Sequence, residues 1–272
     1  MSCPAVLVLH DHGAWFTIGK EKMVSPVSAD TLLLQEVNWF VERCYDGAFI
    51  GDTLASRGYV VLCIDALFWG ERASERHSPT AGLEEKKVFN KSIQAYQPKL
   101  YSACVRENDR AWFEQILLDD KACVDYLLNL PYVDKQRVGC FGFSFGAYRA
   151  WQLSSEDKRI AVCAAANWMT TKKSNGVLPN ASAYSMFRPA QPYKTDYPDI
   201  ASQIAPRPFL LIYGTHDHLF VTEVVMQCVE KIAAAYKESG SETMFRSAAF
   251  DDDHFFGTPQ REALLRFLEE NL

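Results

Sequence analysis

Apolar positions in this chain follow two alternating rhythms. Runs that are apolar at nearly every position recur at Ala5–Leu9, Tyr59–Ile64, Arg137–Gly142, Ile160–Ala165 and Phe209–Tyr213. A strand covered on both faces requires such a run, without polar alternation. Thr243–Ala249 is a sixth, less apolar run, predicted to lie nearer a sheet edge. Helical spacing lies between the runs. Ala48–Arg57 reads as a helix stopped by Gly58, and Thr222–Ser239 as one stopped by Gly240. Asp109–Leu130 places Trp112, Ile116, Asp120, Cys123 and Leu127 on related faces before Pro131 ends it. Phe145–Ser154 follows the third strand directly. Pro259–Leu268 closes the chain, with Thr258 expected as N-cap and Pro259 at the first helical position.

Strands alternating with helices, joined by connections long enough for right-handed crossovers, predict an α/β fold. Its sheet is mainly parallel and doubly wound, with about six or more strands. Two stretches break the rhythm, residues 66–108 and 167–208, each much longer than an ordinary connection. Such lengths point to lid or binding-loop insertions within one domain spanning residues 1–272.

Composition changes this picture little. A chain of 272 residues, 48% apolar and 23% charged, buries a core large enough to stand without a metal or disulfide staple. The net charge of −6 lacks the basic bias of a nucleic-acid surface. Its eight cysteines are dispersed, with Cys63, Cys140 and Cys163 inside strand-like runs and no C-x-x-C pair. They read as reduced thiols packed as small hydrophobes. The N-terminal apolar run is too short for a signal peptide, and no stretch approaches the roughly 20 apolar residues of a membrane span. A soluble cytoplasmic protein is therefore expected, with no nucleic-acid or membrane partner. Oligomeric state is unreadable, and a homo-oligomer is allowed.

The chemistry-bearing pattern is Gly142-Phe143-Ser144-Phe145-Gly146, a G-x-S-x-G entered by a buried strand and left by a helix. A glycine-rich turn with an incidental serine would fit the bare pattern; the strand and helix on either side favour a nucleophile. In that context Ser144 sits in a strained turn, and the Phe145 N–H at the helix N-terminus can face a developing oxyanion. A serine nucleophile needs a base, and the expected chain order is Ser, acid, His. Asp217 follows the fifth strand and His254 the sixth, both at the strand ends where ligands collect. His254 then serves as base and Asp217 as the acid that orients it. Asp251, Asp252 and Asp253 are rivals, but acids on the same turn cannot easily reach back to their neighbour's ring. His216 and His218 flank Asp217, yet an H-D-H run sends successive side chains in different directions, so neither metal nor cofactor is expected.

The first strand ends in His10-Asp11-His12-Gly13, where the backbone N–H of Asp11 or His12 is the candidate second oxyanion donor. Lys20 and Lys22 follow; they are placed to meet an anionic substrate or simply to be solvated. Trp69 and Arg72, past the second strand, could line a pocket, or Arg72 could tie down the loop through a carboxylate. Trp15, Phe16, Trp112 and Trp168 are further aromatic residues that could form a pocket or belong to the core, and Trp168 joins Trp69 and Arg72 as a candidate substrate contact.

These pieces resemble the α/β-hydrolase superfamily, particularly its dienelactone hydrolase-like and acetyl xylan esterase-like branches. The resemblance is carried by His10–Gly13 with Ile18–Met23, Gly70–Arg72, Gly139–Gly146, Pro198–Pro208, Gly214–Asp217 and Asp253-His254, and spans almost the whole chain. Dienelactone hydrolases proper use a cysteine nucleophile, where this chain carries Ser144. Many relatives also place two strands before the oxyanion strand, so the sheet is expected to be trimmed at one edge. The resemblance implies hydrolysis of a carboxylic ester, such as acetyl on a sugar-like alcohol, through an acyl-enzyme. Peptidase, amidase and thioesterase chemistry use the same triad, and a non-catalytic binding module stands further off.

Overall fold

Residues 2–108, 112–171 and 196–272 are described by the computed structural model. Six strands, β1 (Cys3–Leu9), β2 (Val60–Cys63), β3 (Val133–Phe143), β4 (Val162–Ala166), β5 (Phe209–Gly214) and β6 (Phe245–Phe250), form one sheet in the order β2-β1-β3-β4-β5-β6. Every neighbouring pair is parallel. Along each inner strand, successive side chains enter opposite layers. Val6, Val8, Phe141, Phe143, Ala164 and Ile212 pack on one face against α1 (Thr31–Tyr45), α2 (Ile50–Ser56) and α8 (Thr258–Asn271). Leu7, Leu9, Cys140, Cys163, Ala165 and Leu211 pack on the other. That second layer contains α4 (Trp112–Asn129), α5 (Phe145–Glu156), α6 (Tyr197–Ser202) and α7 (Thr222–Glu238). Burial on both faces explains why these strands lack polar alternation.

The expected edge strand, β6, is indeed at one edge. The other edge is β2, whose four residues are only half buried despite an apolar sequence. Several boundaries differ from expectation. β3 begins at Val133, because Cys3 pairs with Val133 before an irregularity resets the register to Ala5 opposite Val138. Thr258 is already helical and Gly257 is the N-cap, its N–H donating to Gln260 Oε1 at 3.2 Å. α1 has no counterpart in the sequence expectation, although Asp30 caps it by accepting from the N–H groups of Leu32 and Leu33.

The 66–108 connection is largely a helix, α3 (Leu83–Asn108), preceded by a short 3-10 turn at Gly70–Arg72. Of the 167–208 segment, α6 is described, and residues 172–195 lie outside the described residues. No helix among the described residues is long and apolar enough to cross a membrane. The chain runs from β1 outward to β2 and then returns to β3 on the other side of β1. That reversal opens a crevice between the C-terminal ends of β1 and β3, where open α/β sheets bind ligands.

Candidate active site

Ser144 stands at this crevice, between β3 and α5, with φ 55° and ψ −120°. A non-glycine residue with positive φ costs of order 1–3 kcal/mol and persists only where its surroundings over-determine it. Two glycines permit it here. A Cβ on Gly142 would overlap the Gly146 backbone, and a Cβ on Gly146 would overlap the Leu9 carbonyl. Strand, helix and β1 therefore approach at a distance that only glycine allows, and the Ser144 N–H is anchored on the Ala166 carbonyl at 2.8 Å.

The structure brings Ser144, His254 and Asp217 together. His254 Nε2 lies 2.8 Å from Ser144 Oγ, and His254 Nδ1 lies 2.7 Å from Asp217 Oδ2. An ionised carboxylate only accepts, so the His254 proton resides on Nδ1 and Nε2 is left to accept from the serine hydroxyl. The other carboxylate oxygen of Asp217 accepts from the Leu219 and Phe220 N–H groups at 2.8 and 3.2 Å, which fixes the carboxylate plane. The imidazole lies between the rings of Phe143 and Phe220, with centroids at 5.1 and 6.0 Å. The rival acids have other partners. Asp251 pairs with His216 at 2.6 Å on the surface, Asp253 pairs with His218 at 2.6 Å, and Asp252 accepts from Gln260.

Asp217, His218 and Asp253 are also the one group among the described residues with ligand atoms of three side chains within 4.8 Å of one another. Both oxygens of Asp217 and one of Asp253 are already engaged in these hydrogen bonds, so a cation there would compete with the orientation of His254.

The loop after β1 forms the facing wall. Gly13 and Ala14 have φ values of 56° and 50°, and a Cβ on Gly13 would strike the Asp11 carboxylate and the Phe40 ring. Two buried histidines hold this loop. His10 Nδ1 lies 2.7 Å from the Asp11 carbonyl, and His10 Nε2 accepts from the Ala66 N–H at 3.0 Å. His12 Nδ1 accepts from the Ala14 N–H at 2.9 Å, so its proton is on Nε2, which faces the Gln97 amide of α3 at 2.6 Å. The Gln97 oxygen must be the atom facing it, since two N–H donors would repel.

Burial, aided by the Lys22 ammonium, holds His10 well below the ordinary imidazole range and pushes His12 down to about 3. Below the ordinary value of 6.5 the unfolded chain takes up protons that these native rings refuse, so stability falls with pH from there down to the native values. At about pH 5 the expected loss from His12 is about 2 kcal/mol, and His10 adds to it in the same direction. Urea midpoints at about pH 7 and about pH 5 measure it; in His12→Asn the acid loss should shrink by His12's share, and an unchanged loss would mean that the native ring is charged.

Other residues expected near substrate have structural partners. Trp69 is fully buried, donates its indole N–H to the His12 carbonyl at 3.2 Å and stacks on Phe145. Phe16 and Trp112 join it in that aromatic layer, and Trp15 is buried with its N–H on Glu36. Arg72 ties its loop to Asp119 at 2.7 Å and to the Asp65 carbonyl. Trp168 is buried behind Asp217, among Tyr148, Tyr197 and Phe220. Lys20 is held by Asp65, Glu21 and Glu71. Lys22 is not solvated at all: it is completely buried.

The cavity in front of Ser144 measures about 600 Å³ and is open to solvent. Its lining includes Arg43, Phe143, Leu219 and Phe255, with the His12–Ala14 loop opposite His254. Arg43 lies outside every motif of the sequence, in the last turn of the unanticipated helix α1.

A sequence model of the dienelactone hydrolase family matches residues 41–262. The chain belongs to that family. Membership places it among the hydrolases. A Bacillus subtilis (strain 168) protein named as a hydrolase, YtaP, is 26% identical over 273 aligned positions, covering 98% of this chain and 78% of its own length. Two solved structures share the α/β-hydrolase fold. Methylesterase BT1017 is 18% identical with a TM-score of 0.60, covering 99% of this chain and 49% of its own. A carbohydrate esterase family 15 glucuronoyl esterase from Caldicellulosiruptor kristjansonii is 15% identical with a TM-score of 0.61, covering 99% and 68%. This dienelactone hydrolase family member thus spans about half the length of the methylesterase.

Proposed function

We propose that the protein is a serine hydrolase that cleaves a carboxylic ester through an acyl-enzyme. The observation that carries this reading is the unbroken relay from Asp217 through His254 to Ser144, at 2.7 and 2.8 Å. In the first half-reaction, Ser144 Oγ attacks the ester carbonyl while its proton passes to His254 Nε2. The oxyanion forms beside the N-terminus of α5, where the Phe145 N–H and the positive end of the helix oppose its charge. His254 then returns the proton to the departing alcohol, leaving an acyl group on Ser144. A water molecule, deprotonated by His254, then attacks the acyl carbon, and the acid is released as His254 returns that proton to Ser144 Oγ. Asp217 holds the ring tautomer throughout and stabilises the imidazolium.

The cavity and the family support a substrate class. A space of about 600 Å³ with apolar and polar walls suits a small ester. Two structural relatives are named for esterase activity, one as a methylesterase and one as a glucuronoyl esterase. A short acyl group, such as acetyl, on a sugar-like alcohol is the substrate class we propose. Purified protein should hydrolyse acetyl esters faster than longer acyl esters, thioesters or peptides of matched leaving group, and a fluorophosphonate probe should label Ser144. Turnover confined to peptides or thioesters would replace the ester assignment. Labelling at another residue would remove Ser144 from it.

A further inference from the structure

Lys22 is the least expected charge in the molecule. Its side chain has no solvent exposure, and its ammonium lies 3.1 Å from the Asp11 carbonyl and 3.0 Å from the His12 carbonyl. The Asp11 carboxylate is 3.7 Å away, and the Phe40 ring centroid 4.8 Å. Asp11 is held in turn by the Tyr45 hydroxyl. Burying an ammonium costs several kcal/mol unless it is well paired. No cation is required merely to satisfy two carbonyls, because both have other donors. His10 serves the Asp11 carbonyl, while the Trp69 indole N–H and the Trp15 backbone N–H serve that of His12.

The carbonyls that Lys22 holds belong to two successive peptide units of the wall facing His254. In a trans peptide the N–H points opposite to the C=O. Drawing the Asp11 and His12 carbonyls toward Lys22 therefore turns the N–H groups of His12 and Gly13 the other way. The preceding peptide is oriented differently: its His10 carbonyl lies against Gly146 at the start of α5, which turns the Asp11 N–H away from the elbow. Of the two donors considered from sequence, His12 is the one this geometry favours.

We propose that Lys22 is a positioning residue for the oxyanion hole. It locks the His12 and Gly13 peptide units with their N–H groups toward the Ser144 cavity, and its buried charge adds positive potential behind them. This rests on the hydrolase reading for its catalytic consequence, but the orientation itself can be measured without turnover. Lys22→Met removes the charge and its donors at similar volume. The Asp11→Asn/Lys22→Met double variant removes the Asp11 charge as well, and serves if the single variant fails to fold.

With 4-nitrophenyl acetate, kcat should fall about 100-fold while KM stays within about threefold, as for loss of an oxyanion donor. Inhibition by a small alkyl boronic acid, which forms a tetrahedral anion on serine, should weaken in parallel. The amide resonances of His12 and Gly13 should shift in either variant even if no ester is turned over. A folded variant with unshifted His12 and Gly13 amides overturns the inference, and so does one whose only kinetic change is in KM. Wild-type protein that turns over no ester would instead count against the hydrolase reading, with the amide shifts still deciding the role of Lys22.

Discussion

Replacing Ser144 with alanine is expected to lower ester turnover by about a million-fold, or about 8 kcal/mol of transition-state stabilisation. The substitution deletes one oxygen and leaves the fold intact. Alanine meets the same cost at φ 55° as serine, and the anchoring bond from residue 144 to the Ala166 carbonyl is made by the backbone. Only the contact with His254 Nε2 disappears. Because the base, the helix N-terminus and the cavity all survive, a small residual rate above that of water should persist. kcat on an acetyl ester, measured beside a thermal melt, checks both halves. A folded variant that keeps a tenth or more of wild-type kcat would show that another group is the nucleophile.

Asp217→Asn should cost about 10⁴-fold in kcat, whereas Asp251→Asn should be nearly neutral. The asymmetry follows from the hydrogen bonds. The Leu219 and Phe220 N–H groups hold one oxygen of residue 217, so an asparagine there would keep its carbonyl oxygen on that side. Its NH₂ would then face His254 Nδ1, where the carboxylate now accepts. A ring that accepts at Nδ1 carries its proton on Nε2 and cannot take one from Ser144. Asp251, by contrast, is exposed and touches His216, away from the relay. Parallel kcat measurements on the two variants decide the matter, and a greater loss at Asp251 would transfer the orienting role.

Much of this was legible in the chain because it depends on local rules. Apolar runs at Ala5–Leu9 and Phe209–Tyr213 identified strands buried on both faces, and the weaker run before Phe250 identified an edge. Glycines around Ser144 signalled a close approach that the structure contains. What was not legible depends on contacts between distant segments. Nothing in Gly19-Lys20-Glu21-Lys22-Met23 separates an accessible Lys20 from a completely buried Lys22, except that Ile18 and Met23 on either side are core residues. The aromatic residues posed the same problem: Trp69 and Trp168 are suited by type to stack on a sugar, and packing assigned them to the interior. β2 shows the reverse case, since its apolar sequence belongs to a strand at the sheet edge.

The loop that faces His254 is held from far along the chain. Glu36 of α1 accepts from Trp15 and from Lys86 of α3, Asn90 of α3 receives the Thr17 N–H, and Gln97 of α3 meets His12. The Ser144 side rests on the sheet itself, through the ends of β1, β3, β4, β5 and β6, and on α5, none of which depends on α3. A disturbance confined to α3, by heat, denaturant or a cut in its backbone, would leave the sheet and the triad standing while the facing wall relaxed. Enzymatic rate is then a gauge of that wall rather than of the sheet: it would decline before the global unfolding transition, together with any signal from Trp15 and Trp69, whose indoles are part of the wall.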